Sequence, residues 1–145
     1  MPRPLVPDTT ALIAAIRNPR SGLLDLIIRG QVWLSSVVAC ELYAGTRSQE
    51  ERHLLDRLVR GATRAERLLV PTLEDWTQAG TLIARRIRLE GAMRPRDHLA
   101  DVLIVVSAAR LGGEVQSANR RHFEAWTELA QRAGFDVVLA PASLE

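Results

Sequence analysis

The chain has 145 residues, enough for one domain to bury a core without disulfides or a structural metal. Its 47% hydrophobic and 25% charged residues are globular averages, which exclude a disordered tail, a collagen-like repeat and a highly charged nucleic-acid arm. All 19 basic residues are arginine against 17 acids, so a net charge of only +2 accompanies a pI of 9.4, which a GC-rich coding bias explains as well as phosphate binding does.

Short β-like runs alternate with longer helical ones, the pattern of a mainly parallel sheet covered by helices. The first run, Leu5–Pro7, ends at Asp8-Thr9-Thr10, whose short polar side chains can cap the helix Ala11–Ile16 before Asn18-Pro19 stops it. Ser21 opens a second helix through Arg29, with Gly30 as its closing residue, and Val32–Leu34 reads as the next strand. Ser35 or Ser36 caps the following helix. Ser48 and Glu51 form a capping box ahead of the apolar stripe Leu54, Leu55, Leu58, Val59 and Ala62, so a helical hairpin covers about residues 36–61. Leu68–Pro71 is a third strand, Thr72 and Asp75 open a long amphipathic helix, and Gly91 closes it. The tract from Ala92 to Asp97 reads as a loop, and Val102–Ala109 as a helix apolar on every side. Gly112-Gly113 then leads to strand Glu114–Ser117, helix Arg121–Ala133 and a last strand Asp136–Ala140. The whole chain, 1–145, is expected to form a single α/β domain of about five strands.

Cys40, the only cysteine, has no internal partner, so a reduced cytoplasm is the expected compartment. Arg3 and Asp8 break any apolar signal segment. The longest uncharged stretch, Gly30 to Cys40, falls short of the ~20 residues that cross a bilayer.

Four polar positions fit this layout poorly as structure alone. Asp8 and Asn119 stand just beyond the carboxyl ends of predicted strands, where open α/β sheets gather ligand groups, although both types also serve as caps and turn formers. Glu41 shares a helix face with Val37, Val38, Ala44 and Gly45, a face expected in the core, where a carboxylate needs an arginine or a metal beside it. Asp101 shares its face with Ile104, Val105 and Ala108; in the first turn of its helix the dipole offsets up to about 1–2 kcal/mol of its burial cost. One common cation would satisfy all four. Oxygen donors without accompanying His or Cys favour Mg²⁺ or Mn²⁺, which commonly meet phosphates, and this suggests metal-assisted phosphodiester hydrolysis.

The blocks Leu5-Val6-Pro7-Asp8-Thr9-Thr10-Ala11-Leu12-Ile13, Val38-Ala39-Cys40-Glu41-Leu42-Tyr43-Ala44-Gly45, Asp101-Val102-Leu103-Ile104-Val105-Val106-Ser107-Ala108 and Ser117-Ala118-Asn119-Arg120-Arg121-His122-Phe123 carry a resemblance. In order and spacing they look like the four signature blocks of the PIN-domain ribonucleases, and more narrowly the VapC toxins of bacterial toxin–antitoxin pairs. The resemblance implies a three-layer PIN-like fold, with helices on both faces of the sheet, and a Mg²⁺- or Mn²⁺-dependent endoribonuclease. By the same analogy Asp8 and Asp101 bind the metal most directly, Glu41 holds a water or a second ion, and Asn119 orients through water. Thr9 and Ser117 stand where the family carries a hydroxyl that steadies the acids, or they serve only as cap and turn former. Asn119 in place of Asp leaves three carboxylates and favours one tightly held ion. Asp97 either joins the pocket or caps its helix.

On this reading Glu41 or Asp101 accepts the proton of an attacking water, and the products carry 5′-phosphate and 3′-hydroxyl ends. Arg94, Arg96, Arg120 and Arg121 bracket the proposed pocket in sequence and are the candidate RNA-phosphate contacts. His53, His98 and His122 lack zinc-like spacing, with His122 near enough to the pocket to touch RNA. Cys40 is expected to be a core thiol, and Trp33, Trp76 and Trp126 are too scattered to stack bases. The resemblance also implies a VapB-type antitoxin contacting the hairpin, a homodimer, and operator DNA bound only through the antitoxin. A different reading from the same family is a weakly or non-catalytic subunit of a DNA-bound regulatory complex. Nucleotide-cofactor enzymes rank below both, because no glycine-rich phosphate loop follows any strand.

Overall fold

The computed structural model describes residues 2–142. Strand β1 (Leu5–Pro7) runs straight into helix α1 (Thr9–Arg17), and α2 (Leu23–Ile28) leads to β2 (Leu34–Ser35). Helices α3 (Ser36–Ala44) and α4 (Gln49–Arg64) follow, then β3 (Leu68–Leu69) and the long α5 (Leu73–Glu90). The chain closes with α6 (Pro95–Arg110), β4 (Glu114–Gln116), α7 (Arg120–Arg132) and β5 (Val138–Leu139). The fold is α/β with an all-parallel set of strands.

The strands form two ladders rather than one continuous sheet: β1-β4-β5 and β2-β3. In the first, Val6 pairs with Val115, and both are fully buried. The Trp33 N–H donates to the Leu5 carbonyl (3.1 Å) and bridges the two ladders. Asp8 N donates to Gln116 O (2.8 Å), so residue 8 faces β4 and residues 5 and 7 face β2. Position 7 is proline, which has no N–H to extend the pairing towards β2.

The helix caps are local sequence chemistry. The Asp8 carboxylate accepts from Ala11 N at the start of α1, and Ser35 Oγ accepts from Val37 N and Val38 N at the start of α3. Thr72 and Asp75 form a complete capping box at α5. Arg110 Nη2 lies 3.1 Å from Asp75 Oδ2, which neutralises that buried carboxylate and ties the end of α6 to the start of α5. At α4 the box is displaced by one residue: Ser48 caps Glu51 N, but Glu51 Oε2 accepts from Arg47 N (2.7 Å).

Three expectations need correction. The tract read as a loop ends at Arg94, and α6 begins at Pro95. Proline at the first helical position gives up an N–H that has no helical partner anyway, and its fixed φ suits a helix start. Asp101 therefore lies in the second turn, out of reach of the dipole stabilisation expected of the first. Second, Glu41 is exposed, as are Ala44 and Gly45; α3 buries the arc Val38, Ala39 and Leu42 instead. Third, Cys40 is exposed and is no core thiol.

Glycine makes one contact possible. A Cβ on Gly61 of α4 would stand 2.8 Å from Ile28 Cα and 2.9 Å from Ile28 O, so α2 and α4 pack this closely only because residue 61 has no side chain. None of the described helices is long and apolar enough to cross a membrane.

Candidate active site

The turn after β1, helix α3, helix α6 and the turn after β4 bring Asp8, Glu41, Asp101 and Asn119 to one depression of about 260 Å³. Thr9, Thr10, His122 and Phe123 complete its lining. Asp8 and Asn119 reach it from the carboxyl ends of the paired strands β1 and β4.

Asp8 forms the buried floor and is held by three donors. Ala11 N and Thr10 Oγ1 reach Oδ1 at 2.8 Å each, and Ser117 Oγ reaches Oδ2 at 2.6 Å. Those hydroxyls accept in turn from the peptide N–H groups beyond β4: Ala118 N donates to Thr10 Oγ1 (3.0 Å) and Asn119 N to Ser117 Oγ (2.9 Å). Asp8 thus locks the α1 start to the β4 turn. Glu41 stands at the rim, where Thr9 Oγ1 donates to its Oε1 (2.8 Å). Asp101 is partly buried, and its Oδ2 lies 2.7 Å from His122 Nε2. The Asn119 side chain is exposed and makes no hydrogen bond among the described residues.

As arranged, no three acidic, histidine or cysteine side chains among the described residues stand close enough to hold an ion. The donor chemistry nevertheless suits a hard cation. Glu41 Oε2, Asp101 Oδ1 and the Asn119 amide oxygen have no protein partner among the described residues, and three donors on Asp8 leave its two oxygens room for another. All four lining donors are oxygens, and the carboxylates are already oriented by hydroxyl or imidazole neighbours.

The two hydroxyls singled out from the chain occupy different places. Ser117 binds Asp8, whereas Thr9 binds Glu41; the second hydroxyl on Asp8 belongs to Thr10, which sequence reasoning passed over. The adjacent Thr9-Thr10 pair was the available signal, since a turn entering a helix aims consecutive side chains in different directions. The sequence places His122 only near the pocket; its bond to Asp101 depends on the crossing of α6 and α7, which no local pattern reports. Asp97 is exposed in the first turn of α6, does not line the depression, and makes no side-chain cap.

The arginines divide. Arg94, Arg96 and Arg121 are exposed, and their side chains have no partner among the described residues. Arg120 instead donates to the Ala140 carbonyl and lines a separate depression with Gln116 and Pro141.

A family model for the PIN domain matches residues 5–134, which include every residue of the depression. The chain belongs to the PIN-domain family. PIN domains are generally nucleases. No curated protein matches this PIN domain in sequence. Among solved structures, it is similar to a chain of VapBC2 from Rickettsia felis bound to a DNA fragment from the promoter, with 18% identity and a TM-score of 0.63, covering 96% of this chain and 98% of that one. It is also similar to a chain of FitAB bound to an IR36 DNA fragment, with 17% identity, a TM-score of 0.62 and 97% of each chain covered. A chain of VapBC-1 from nontypeable Haemophilus influenzae follows at 16% identity and a TM-score of 0.56, with 86% and 92% covered. At these identities the likeness establishes the fold of the PIN domain.

Proposed function

We propose that this PIN domain is a divalent-metal-dependent endoribonuclease of the VapC toxin type, neutralised by a cognate VapB-type antitoxin. The observation that carries the reading is the meeting of Asp8, Glu41, Asp101 and Asn119, from four separate chain segments, in one depression at the strand ends. Asp8 and Asp101 are the proposed ligands of Mg²⁺ or Mn²⁺, with Glu41 and Asn119 acting through water. When bound, such an ion offsets charge on the phosphate and favours deprotonation of water. Glu41 or Asp101 takes up the proton of the attacking water, and the cut leaves 5′-phosphate and 3′-hydroxyl ends. Thr9, Thr10, Ser117 and His122 hold those carboxylates in place. Arg94, Arg96 and Arg121 are the proposed phosphate contacts; Arg120 joins them only by leaving the Ala140 carbonyl.

For the antitoxin, the proposed seat is the groove of about 320 Å³ between α1 and the α3–α4 pair. Ile13, Ile16, Leu42, Leu54 and Leu55 line it and Glu41 stands at its wall, so an apolar antitoxin segment lying there would cover the acidic site. A homodimer, a cytoplasmic location and contact with operator DNA through the antitoxin belong to the same reading. The second reading, a weakly or non-catalytic subunit of a DNA-bound toxin–antitoxin regulatory complex, draws on two of the similar structures being complexes with DNA.

Induced expression in a bacterial host separates the two. Growth arrest that Asp8→Ala relieves supports the nuclease toxin. Harmless expression together with tight, antitoxin-dependent DNA binding supports the repressor subunit and contradicts the toxin.

A further inference from the structure

Helix α4 carries Arg57, Arg60 and Arg64 on one exposed face, at spacings of three and four residues. Together they wall a groove of about 410 Å³ whose floor is Ile28, Gly61 and Ala65. None of the three guanidinium groups makes a hydrogen bond or ion pair among the described residues. The nearest acid in sequence to Arg60 along its own helix, Asp56, accepts from the Tyr43 hydroxyl (2.6 Å) instead. Like charges at these spacings oppose helix formation, and only Arg64 lies near enough to the helix C-terminus to gain from the dipole. The stripe is therefore not explained by the stability of α4. The floor is no accident of the surface either, because the missing side chain at Gly61 brings the α2 backbone up against α4 and opens the space between the arginines.

We propose that this groove binds the phosphodiester backbone of single-stranded RNA, at a place separate from the acidic depression, with which it shares no residue. From Arg57 to Arg64 the helix rises about 10 Å, so the three cations lie along a line, as a backbone contact requires. The groove has a small apolar floor of Ile28, Gly61 and Ala65 against which the ribose of an unpaired strand can lie, and no aromatic ring for base stacking among the described residues that line it, which suits binding without base preference. Duplex DNA offers the same backbone charge to these cations, so the choice of an unpaired strand follows from the nuclease reading and is decided by the duplex arm of the test. The proposal rests on the nuclease reading in taking RNA as the ligand, and it gives the enzyme a second hold on substrates longer than the acidic site spans.

The test is the salt dependence of binding, followed by fluorescence anisotropy with a labelled oligouridine in the presence of chelator, so that no cleavage is required. Wild type is compared with the triple variant Arg57→Gln, Arg60→Gln, Arg64→Gln and with a charge-matched control, Arg85→Gln, Arg88→Gln, Arg132→Gln. Glutamine keeps helix propensity, and circular dichroism is expected to show the groove variant melting no lower than wild type. The slope of log K against log salt is expected to fall by about 2 units in the groove variant, at ~0.7 per phosphate contact, and to change little in the control. Equal loss in both triples, or no loss in the groove variant, overturns the site. Loss with duplex DNA but not with oligouridine overturns the assignment to RNA. A groove-dependent slope in a protein that cuts no RNA sustains the groove while the nuclease reading fails; RNA cutting with an unchanged slope rejects the groove alone.

Discussion

His122 Nε2 stands 2.7 Å from Asp101 Oδ2, and that contact joins α7 to α6 at the wall of the acidic depression. The imidazole is itself positioned: it stacks on His98 with ring centres 6.0 Å apart and meets the Phe123 ring edge-on at 5.9 Å. A carboxylate held by one oxygen presents the other in a defined direction, which is what an ion ligand needs. Removing the imidazole in His122→Ala should weaken Mn²⁺ binding about tenfold or more, the usual effect of losing such a partner, as measured by isothermal titration calorimetry. Unchanged Mn²⁺ affinity would show that His122 does not position Asp101 for an ion.

Burial decides which hydroxyl matters most for stability. Asp8 is buried, so Ser117→Ala removes the shorter of the two hydroxyl contacts to its Oδ2, leaving only the one that Thr10 Oγ1 shares between the two carboxylate oxygens, and also frees the Asn119 N–H. A loss of about 1–3 kcal/mol in urea unfolding is expected. The corresponding Thr9→Val change should cost less than Ser117→Ala, because water can replace the hydroxyl at the exposed Glu41. A larger loss for Thr9→Val would contradict this ranking.

Gly61→Ala places a methyl group 2.8 Å from the Ile28 backbone, a distance that only movement of α2 away from α4 can relieve. Overpacking of this kind costs about 1–3 kcal/mol, more than the better helix propensity of alanine returns. Thermal melting should show a lower midpoint for the variant, and an equal or higher midpoint would mean that the two helices are not in the close contact described.

Tyr43 links α3 to α4 through its hydroxyl, which donates to Asp56 Oδ1 at 2.6 Å. Burial first, then the hydrogen bond and negative charge of Asp56, push the phenol up from its ordinary value of 10.0, with Arg52 and Arg60 opposing. A phenol raised on folding holds its proton more tightly in the native state. Its contribution is therefore complete below the unfolded value and is lost as pH rises through the folded one. Tyr43→Phe should cost about 1 kcal/mol at neutral pH, and the gap from wild type should narrow above pH ~10 in pH-dependent urea titrations. A gap that stays constant across that range would exclude the linkage.

Much of this arrangement is legible from local patterns. The turn from β1 through Asp8 into α1 is a short polar run between two apolar ones, and the aspartate caps the helix as its type suggests. The convergence of Asp8 and Asn119 follows from parallel strands ending on one side, a rule of topology rather than of distance. Glu41 misled because a nine-residue helix buries only a narrow arc, Val38, Ala39 and Leu42, and a carboxylate next to that arc can still reach water. The Arg94 to Asp97 stretch misled because Pro95 reads as a breaker in a loop and as an initiator in a helix, and only the hydrogen bonds of the following turn distinguish the two. Contacts between distant elements, such as His122 with Asp101 or Gly61 with Ile28, have no local signature at all.

We propose that the depression holding Asp8, Glu41, Asp101 and Asn119 cuts RNA with the help of a divalent cation. The most direct test is cleavage of end-labelled single-stranded RNA by purified protein, with Mg²⁺ or Mn²⁺ and with chelator, for wild type and for Asp101→Asn of matched circular dichroism. Expected are cutting by wild type only with the metal, 5′-phosphate and 3′-hydroxyl ends, and at least a hundredfold loss, on the order of that for removing an essential acid–base group, in Asp101→Asn. Cutting that persists undiminished in chelator, or in Asp101→Asn, would contradict the proposal.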